Sequence, residues 1–458
     1  MAAEAAGQGG GFRAKLVRSA QYSTLIFASQ IVLKLVSITV LTRLLTPDVY
    51  GVFAIVLTYL YILQMISDIG LRSVVLTHDG ELDEAFLGTC FSIAILRGVL
   101  ITAASALVAL LLVQLRKAGV FADDSVYAAL VLPYALVAVG GVQILGGLVS
   151  PNLYVRERDM AFGRVAMTEV ATGVVTLAVT VGAAVVLRSV WALVIGSATA
   201  TFVRVVLSHL LFSGPKIRPR FEQNAARAVL LRGRWIASHS LLTMMAKAGD
   251  RLVLGFVLDA SGFGFYYIAR QFSDMGMRFL QTLHSRSGLQ LFTHVLKARV
   301  EDVRRNYYRY RLVFDGLSGL AAGGLFALAP LLVGILFDDR YAPVAAMLQI
   351  LCLALLLVGP LTLRAAFSSR REFGRMAWLS LVSAIVLWAG LGIAVWLDSV
   401  PMALLVIALY RLPEAALLAI AGAREGWVVW WREPLPLFSF AAGAALGYGV
   451  DWVWSVVV

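Results

Sequence analysis

Hydrophobic and polar positions alternate in long blocks along this chain, not in the short periods of soluble helices and strands. Apolar segments near 21–42, 51–71, 86–115, 127–150, 164–187 and 191–212 form one set of six. Segments near 235–257, 262–284, 311–336, 343–366, 376–397 and 401–423 form a second set. Each is long enough to cross about 30 Å of hydrocarbon as a helix. A further segment, about 434–457, follows Pro434 and Pro436, carries Asp451 and ends in Trp452 and Trp454. The pattern predicts an all-α integral membrane protein with a tail over 1–20, a six-span lobe over 21–212 and a basic linker over 213–234. A second six-span lobe follows over 235–423, then an extra C-terminal segment over 424–458. No gap between spans exceeds about 25 residues, whereas an independent domain needs about 50. A soluble catalytic domain is therefore not expected, and the chain is not read as an enzyme.

Composition agrees with this picture. Of the 458 residues 60% are hydrophobic and 14% charged, where a soluble domain carries about 25% charged residues. The net charge of +12 comes from 39 Lys and Arg against 27 Asp and Glu. With the N-terminus inside, inner loops hold 26 of the 39 cations, and outer loops hold only Arg43, Arg116, Lys117, Arg188 and Arg340. Such asymmetry orients a membrane protein, so the basic excess points to a cytoplasmic N-terminus in an inner membrane and not to nucleic acid. Met1–Gly11 lacks the order of a secretory signal, so the first apolar segment is expected to be retained. Cys90 and Cys352 fall in apolar stretches and imply no disulfide framework. The five histidines have no metal-ligand spacing, and no glycine-rich phosphate loop is present. No cofactor is expected.

An internal repeat organises the two sets of spans. LTPDVYGVFAI at 45–55 aligns with LDASGFGFYYI at 258–268, matching Tyr50 with Phe263, Gly51 with Gly264 and Phe53 with Tyr266 at an offset of 213. Phe162-Gly163-Arg164 with Ala166 aligns with Phe373-Gly374-Arg375 with Ala377 at an offset of 211. An even number of spans in each half makes the copies parallel, a construction that places a binding cavity between the halves of a transporter.

Ionisable groups deep in a span cost at least about 2.5 kcal/mol on insertion scales and therefore mark functional positions. Lys34 and Lys247 lie 13 and 12 residues into their spans and match at offset 213, about 18–20 Å from the inner surface. They read as an anion site, with Arg251 and Arg270 as further candidate contacts. Asp68, Asp250 and Asp274 are candidates for ion coupling. Bland alternatives stand beside these readings: Asp250 neutralising Lys247 and Arg251, and a surface ladder of Arg270, Asp274 and Arg278. Arg97, Arg278 and Arg411 lie where snorkelling to a span end explains them, and Arg204 with His209 is open to the same account. Lys297–Arg311, with Tyr307, Tyr308 and Tyr310, reads as an interfacial anchor, and Trp427, Trp430 and Trp431 as an aromatic belt.

The stretch Val40–Leu76 carries Arg43-Leu44-Leu45, then Pro47-Asp48-Val49-Tyr50-Gly51, then Asp68-Ile69-Gly70-Leu71. It resembles the polysaccharide-transporter (Wzx-like) branch of the multidrug/oligosaccharidyl-lipid/polysaccharide (MOP) exporter superfamily. Asp250-Arg251, Gly264 with Tyr266 and Ala269, and Phe337–Ala345 add to the likeness. The resemblance implies two six-helix lobes and a flippase that moves a polyprenyl-pyrophosphate-linked oligosaccharide from the cytoplasmic to the outer leaflet of a bacterial inner membrane. The implied partners are that lipid-linked oligosaccharide, membrane lipids and a polysaccharide polymerase or export machinery. The rival functions are a multidrug or cation exporter, a peptidoglycan-precursor flippase, and, in another class, a membrane polymerase or ligase. An acidic or neutral aromatic cavity would favour a cation exporter, and a large outer loop would favour the enzyme.

Overall fold

The computed structural model describes residues 26, 28–76, 78, 82–158, 162–212, 217–224, 226–227, 229, 231, 244, 248–295, 300–370 and 372–457. They divide into two compact units, 1–261 and 262–458. The described part of the segment expected to open the second lobe therefore groups with the first unit, and the expected linker lies inside that unit.

Unit 1 contains α1 (28–44), α2 (Pro47–Ile66), α3 (Leu71–Leu76), α4 (Glu84–Lys117), α5 (Leu132–Gly147), α6 (Asn152–Arg158), α7 (Phe162–Leu187), α8 (Val190–Leu210) and α9 (248–257). Unit 2 contains α10 (Ala260–Val295, whose first two residues belong to unit 1), α11 (Val300–Leu336), α12 (Pro343–Leu351), α13 (Leu363–Ser369), α14 (Phe373–Trp396), α15 (Val400–Leu409), α16 (Leu412–Arg424) and α17 (Leu435–Val457). Among the described residues seven stretches are long and apolar enough to cross a membrane: α2, α4, α7, α8, α11, α14 and the run of α15 with α16. The bent pairs α5 with α6 (66°) and α12 with α13 (41°) raise the number to nine. Those bends revise the expected straight spans 127–150 and 343–366. Their causes are visible in sequence, since Pro151 and Pro360 each end one helix and start the next piece. The segment expected at 262–284 lies in α10, which carries Arg270, Asp274 and Arg278 there.

The repeat is visible in the element order. Both copies of the first motif sit at a break between helices, α1 to α2 and α9 to α10, with Tyr50 and Phe263 buried. Both copies of the second motif open a helix, α7 at Phe162 and α14 at Phe373. The bent pair stands before that motif in each half.

Inside unit 1, α4 packs along α5, α7 along α8, and α2 against α4, α5 and α8. In unit 2, α17 lies along α11. On α11 Gly319 lies against Ser439 and Phe440 and Gly323 against Phe440, Gly443 and Ala444, while Gly443 and Gly447 on α17 lie against Leu320 and against Gly324 and Ala327. A Cβ on Gly323 would fall 2.1 Å from the Phe440 carbonyl oxygen. Such small-residue stripes let helix backbones touch where no hydrophobic effect drives association. Cys90 and Cys352 are buried free thiols.

The aromatic assignments at the ends of unit 2 change. Trp427 is buried in a core with Tyr307, Tyr308, Phe367 and Leu418, while Trp430 and Trp431 are exposed. Trp427 stacks near Phe367 and under the Arg370 guanidinium, 4.4 Å from the ring centre. Only two of the three tryptophans are thus placed for an interfacial belt. Tyr307 and Tyr308 are likewise core residues, not surface anchors, because hydrogen bonds to Arg311 and Glu433 satisfy their hydroxyls inside the fold.

Candidate polar cavity in the first unit

Unit 1 encloses a cavity of about 740 Å³ between the last turn of α2 and α3, α4, α5, α6, α7 and α8. Its position follows from a break in the chain. After Ile66 the backbone leaves α2, and Gly70 takes φ +62°, a left-handed conformation that favours glycine. The Asp68 carboxylate accepts the Gly70 amide at 2.9 Å, so the Asp-x-Gly sequence builds the turn that lets α3 roof the space. Asp68, read from sequence as a coupling candidate, lines the cavity while capping this turn.

Three arginines and three carboxylates line the wall. Arg72 pairs with Glu157 at 2.7 Å, and Arg204 with Glu169 at 2.6 Å. Gln30 on α1 adds a long hydrogen bond of 3.5 Å to Glu169. Arg97 differs from the other two arginines. Its Nη2 donates to the Gln64 carbonyl at 2.8 Å and its Nε to the Ser67 hydroxyl at 3.2 Å. Its hydrogen-bond partners among the described residues are thus a carbonyl and a hydroxyl, and no carboxylate forms an ion pair with it. The carbonyl end of α2 is the negative end of that helix dipole and holds a cation without cancelling its full charge. Arg97 stands 13 residues after Glu84, about 20 Å along α4, where it meets the last turn of α2.

Neutral groups complete the wall. The Gln64 amide donates to Gln143 at 2.9 Å, and Thr172, Thr201 and Tyr154 also line the space. The Thr172 hydroxyl is buried and has no hydrogen-bond partner among the described residues. A buried hydroxyl left so costs roughly 1–3 kcal/mol unless a ligand or water completes it. Fixed cations, amides and hydroxyls lining one cavity can exchange their partners for those of an anionic, hydroxyl-rich guest.

The other sequence candidates lie elsewhere. Lys34 is half-buried on α1 and is not among the cavity lining, and Lys247 lies outside the described residues. On α9, Asp250 is buried and accepts the Arg251 amide at 2.8 Å. Arg270 and Asp274 form an i,i+4 ion pair at 3.1 Å on α10 in unit 2. Glu414 is buried between Arg364, Arg411 and Ser383. Arg97 and Arg204 carried a depth signal in sequence, but the equally valid snorkelling account masked it. Nothing in sequence joined them to Gln64 and Gln143, which are distant in the chain.

Residues 40–346 match the model of a family described as polysaccharide biosynthesis protein. The lipopolysaccharide biosynthesis protein WzxC of Escherichia coli (strain K12) is 23% identical over 352 residues, covering 75% of this chain and 68% of that one. Among solved structures, the lipid II flippase MurJ in an inward closed conformation aligns with a TM-score of 0.68 at 11% identity, covering 95% of this chain and 100% of that one. An inward-facing multidrug resistance MATE family transporter of the MOP superfamily aligns at 0.62 and 14% identity, covering 87% and 94%. A MOP superfamily transporter from Pyrococcus furiosus with a binding pocket of reversed polarity aligns at 0.58 and 13%, covering 90% and 95%. The fold is that of the MOP transporters.

Proposed function

This chain belongs to the polysaccharide biosynthesis protein family and is a multi-pass membrane protein with a transporter fold, and from that footing we propose that it is a flippase for a polyprenyl-pyrophosphate-linked oligosaccharide. The headgroup moves from the cytoplasmic to the outer leaflet of a bacterial inner membrane, while the lipid tail stays in the bilayer. The observation that carries this reading is Arg97, a cation held by a helix end and unpaired with any described carboxylate, in a cavity that amides, hydroxyls and two arginine–carboxylate pairs line together with apolar side chains such as Met65, Phe91 and Ile101. A phosphate crossing low dielectric needs charge-assisted donors in place of water. Arg97 supplies them, and Arg72 and Arg204 join when the phosphate displaces Glu157 and Glu169. Gln64, Gln143 and Thr172 meet sugar hydroxyls. Lys34 and Lys247, related by the repeat, with Arg251 and Arg270, remain the sequence candidates for headgroup contacts, and Asp68, Asp250 and Asp274 the candidates for ion coupling. Two of the three cavity carboxylates are neutralised by arginine, which weighs against an organic cation as cargo.

Transport of a fluorescent polyprenyl-pyrophosphate oligosaccharide by the purified protein in liposomes tests the reading. Arg97→Ala loses a hydrogen bond to a charged group, about 1.5–3 kcal/mol, so headgroup translocation falls roughly 10- to 150-fold. Arg97→Lys, a point charge without the planar fork, falls less. Parental translocation by Arg97→Ala at equal protein level removes the cavity from the pathway.

A further inference from the structure

At the end of unit 1 away from Arg72, the chain between α4 and α5 closes on α9. Tyr127, in the 3-10 turn Val126–Ala128, is almost fully buried. Its hydroxyl donates to the Leu252 carbonyl at 3.1 Å. Its ring lies 4.6 Å from Phe256, 5.2 Å from Phe121 and 6.3 Å from Tyr59, measured between centroids. Ser125 and Asp259 form an isolated antiparallel bridge, so backbone as well as side chains join the loop to the end of α9. Gly255 makes the close fit: a Cβ there would fall 2.8 Å from Ile55 and 2.9 Å from the Tyr127 hydroxyl.

The repeat assigns α9 to the second half of the sequence, as the counterpart of α1. Its outer end is nevertheless held by loop and helix residues of the first half. Among the described residues the hold includes the Tyr127–Leu252 hydrogen bond, the Ser125–Asp259 bridge and a set of ring contacts. A hold of ring contacts and neutral hydrogen bonding is weaker than a covalent one. That is strong enough to populate one state and weak enough to open on a transport timescale. The clasp and the cavity share α2. Tyr59 in the clasp and Gln64 in the cavity wall are five residues apart on α2, about 7.5 Å along the axis.

We propose that Tyr127, with Phe121, Tyr59 and Phe256, is the outer gate of the translocation path, a clasp that holds α9 to the loop between α4 and α5 and must open for the headgroup to leave. The assignment of sides rests on the flippase reading above. The gate predicts that locking the bridge stops transport. Paired residues of an antiparallel bridge have Cα atoms about 4.5–5.5 Å apart, within the about 4.4–6.8 Å a disulfide spans.

In the double variant S125C/D259C, with Cys90 and Cys352 buried, oxidation is expected to form the cross-link and lower translocation of the fluorescent polyprenyl-pyrophosphate oligosaccharide at least tenfold, and reductant restores it. Failure to cross-link, or a parental rate when fully cross-linked, overturns the gate. A second measurement needs no substrate. Ser125 is only 6% exposed, so labelling of S125C by an impermeant maleimide applied from outside reports opening, and adding Y127F, which removes the bond to Leu252, accelerates it several-fold. Equal labelling rates overturn the gate. A parent that does not translocate the lipid, while Y127F still accelerates labelling, removes the flippase reading and leaves the clasp standing.

Discussion

At Arg311 a guanidinium is wholly buried between two carboxylates. Its Nε donates to Asp315 at 2.8 Å, Nη1 reaches Glu433, and the same nitrogen donates to the Tyr307 hydroxyl at 3.2 Å. Tyr308 completes the set by donating to Glu433 at 2.9 Å. Removing one member of a buried ionic set strands the others, at a cost of about 3–5 kcal/mol. Arg311→Met is therefore expected to lower the thermal-unfolding midpoint of the purified protein strongly. Arg305→Met, which breaks an exposed pair with Asp302, is expected to leave it unmoved. Equal midpoints for the two variants contradict the argument. The same contrast explains what was legible at this scale. Sequence spacing exposes i,i+4 pairs such as Arg270 with Asp274, because helix geometry is local. It does not expose Glu433 as the partner of Arg311, because that contact is made across 122 positions by the docking of α17.

Individual helices were largely readable from hydropathy, since α2, α4, α7, α8 and α14 each fill an expected apolar block. The two bends were not, because a 19-residue average smooths over Gly146-Gly147…Pro151 and Gly359-Pro360. Burial of Trp427 was equally hidden: the interface and the core both favour tryptophan, and only the folded contacts distinguish them. The partner of α17 was encoded, although not by hydropathy. Gly319 and Gly323 on one helix and Gly443 and Gly447 on the other share the spacing of a close helix pair. Gly323→Leu forces at least one methylene branch into a backbone contact, and overpacking costs about 1–3 kcal/mol. The expected outcome is faster proteolysis in the loop before α17 and a lower unfolding midpoint. Gly324→Leu is the control, since an added Cβ there meets nothing within 4 Å. Identical behaviour of the two variants would show that α17 does not depend on this seam.

For the molecule as a whole, the repeat and the charge asymmetry make separable claims. The repeat predicts the order of elements, and the helices follow it: a break at each first motif, a bent pair, then a helix opening at each Phe-Gly-Arg. It does not predict how contacts divide, and α9 joins the unit built from the first half because the Tyr127 clasp and Gly255 bind it there. The charge asymmetry speaks to orientation, with 26 of 39 cations falling on one side of the expected spans. Basic residues next to spans resist translocation, so the turns holding Arg424 and Arg432 are expected on the cytoplasmic side and the turn holding Arg340 on the outer side. Asp339 and Glu425 are exposed residues of those opposite turns. In intact cells an impermeant thiol reagent is expected to label Asp339→Cys readily and Glu425→Cys only after permeabilisation. The reverse pattern would contradict the charge-based orientation, on which the proposed direction of headgroup movement rests.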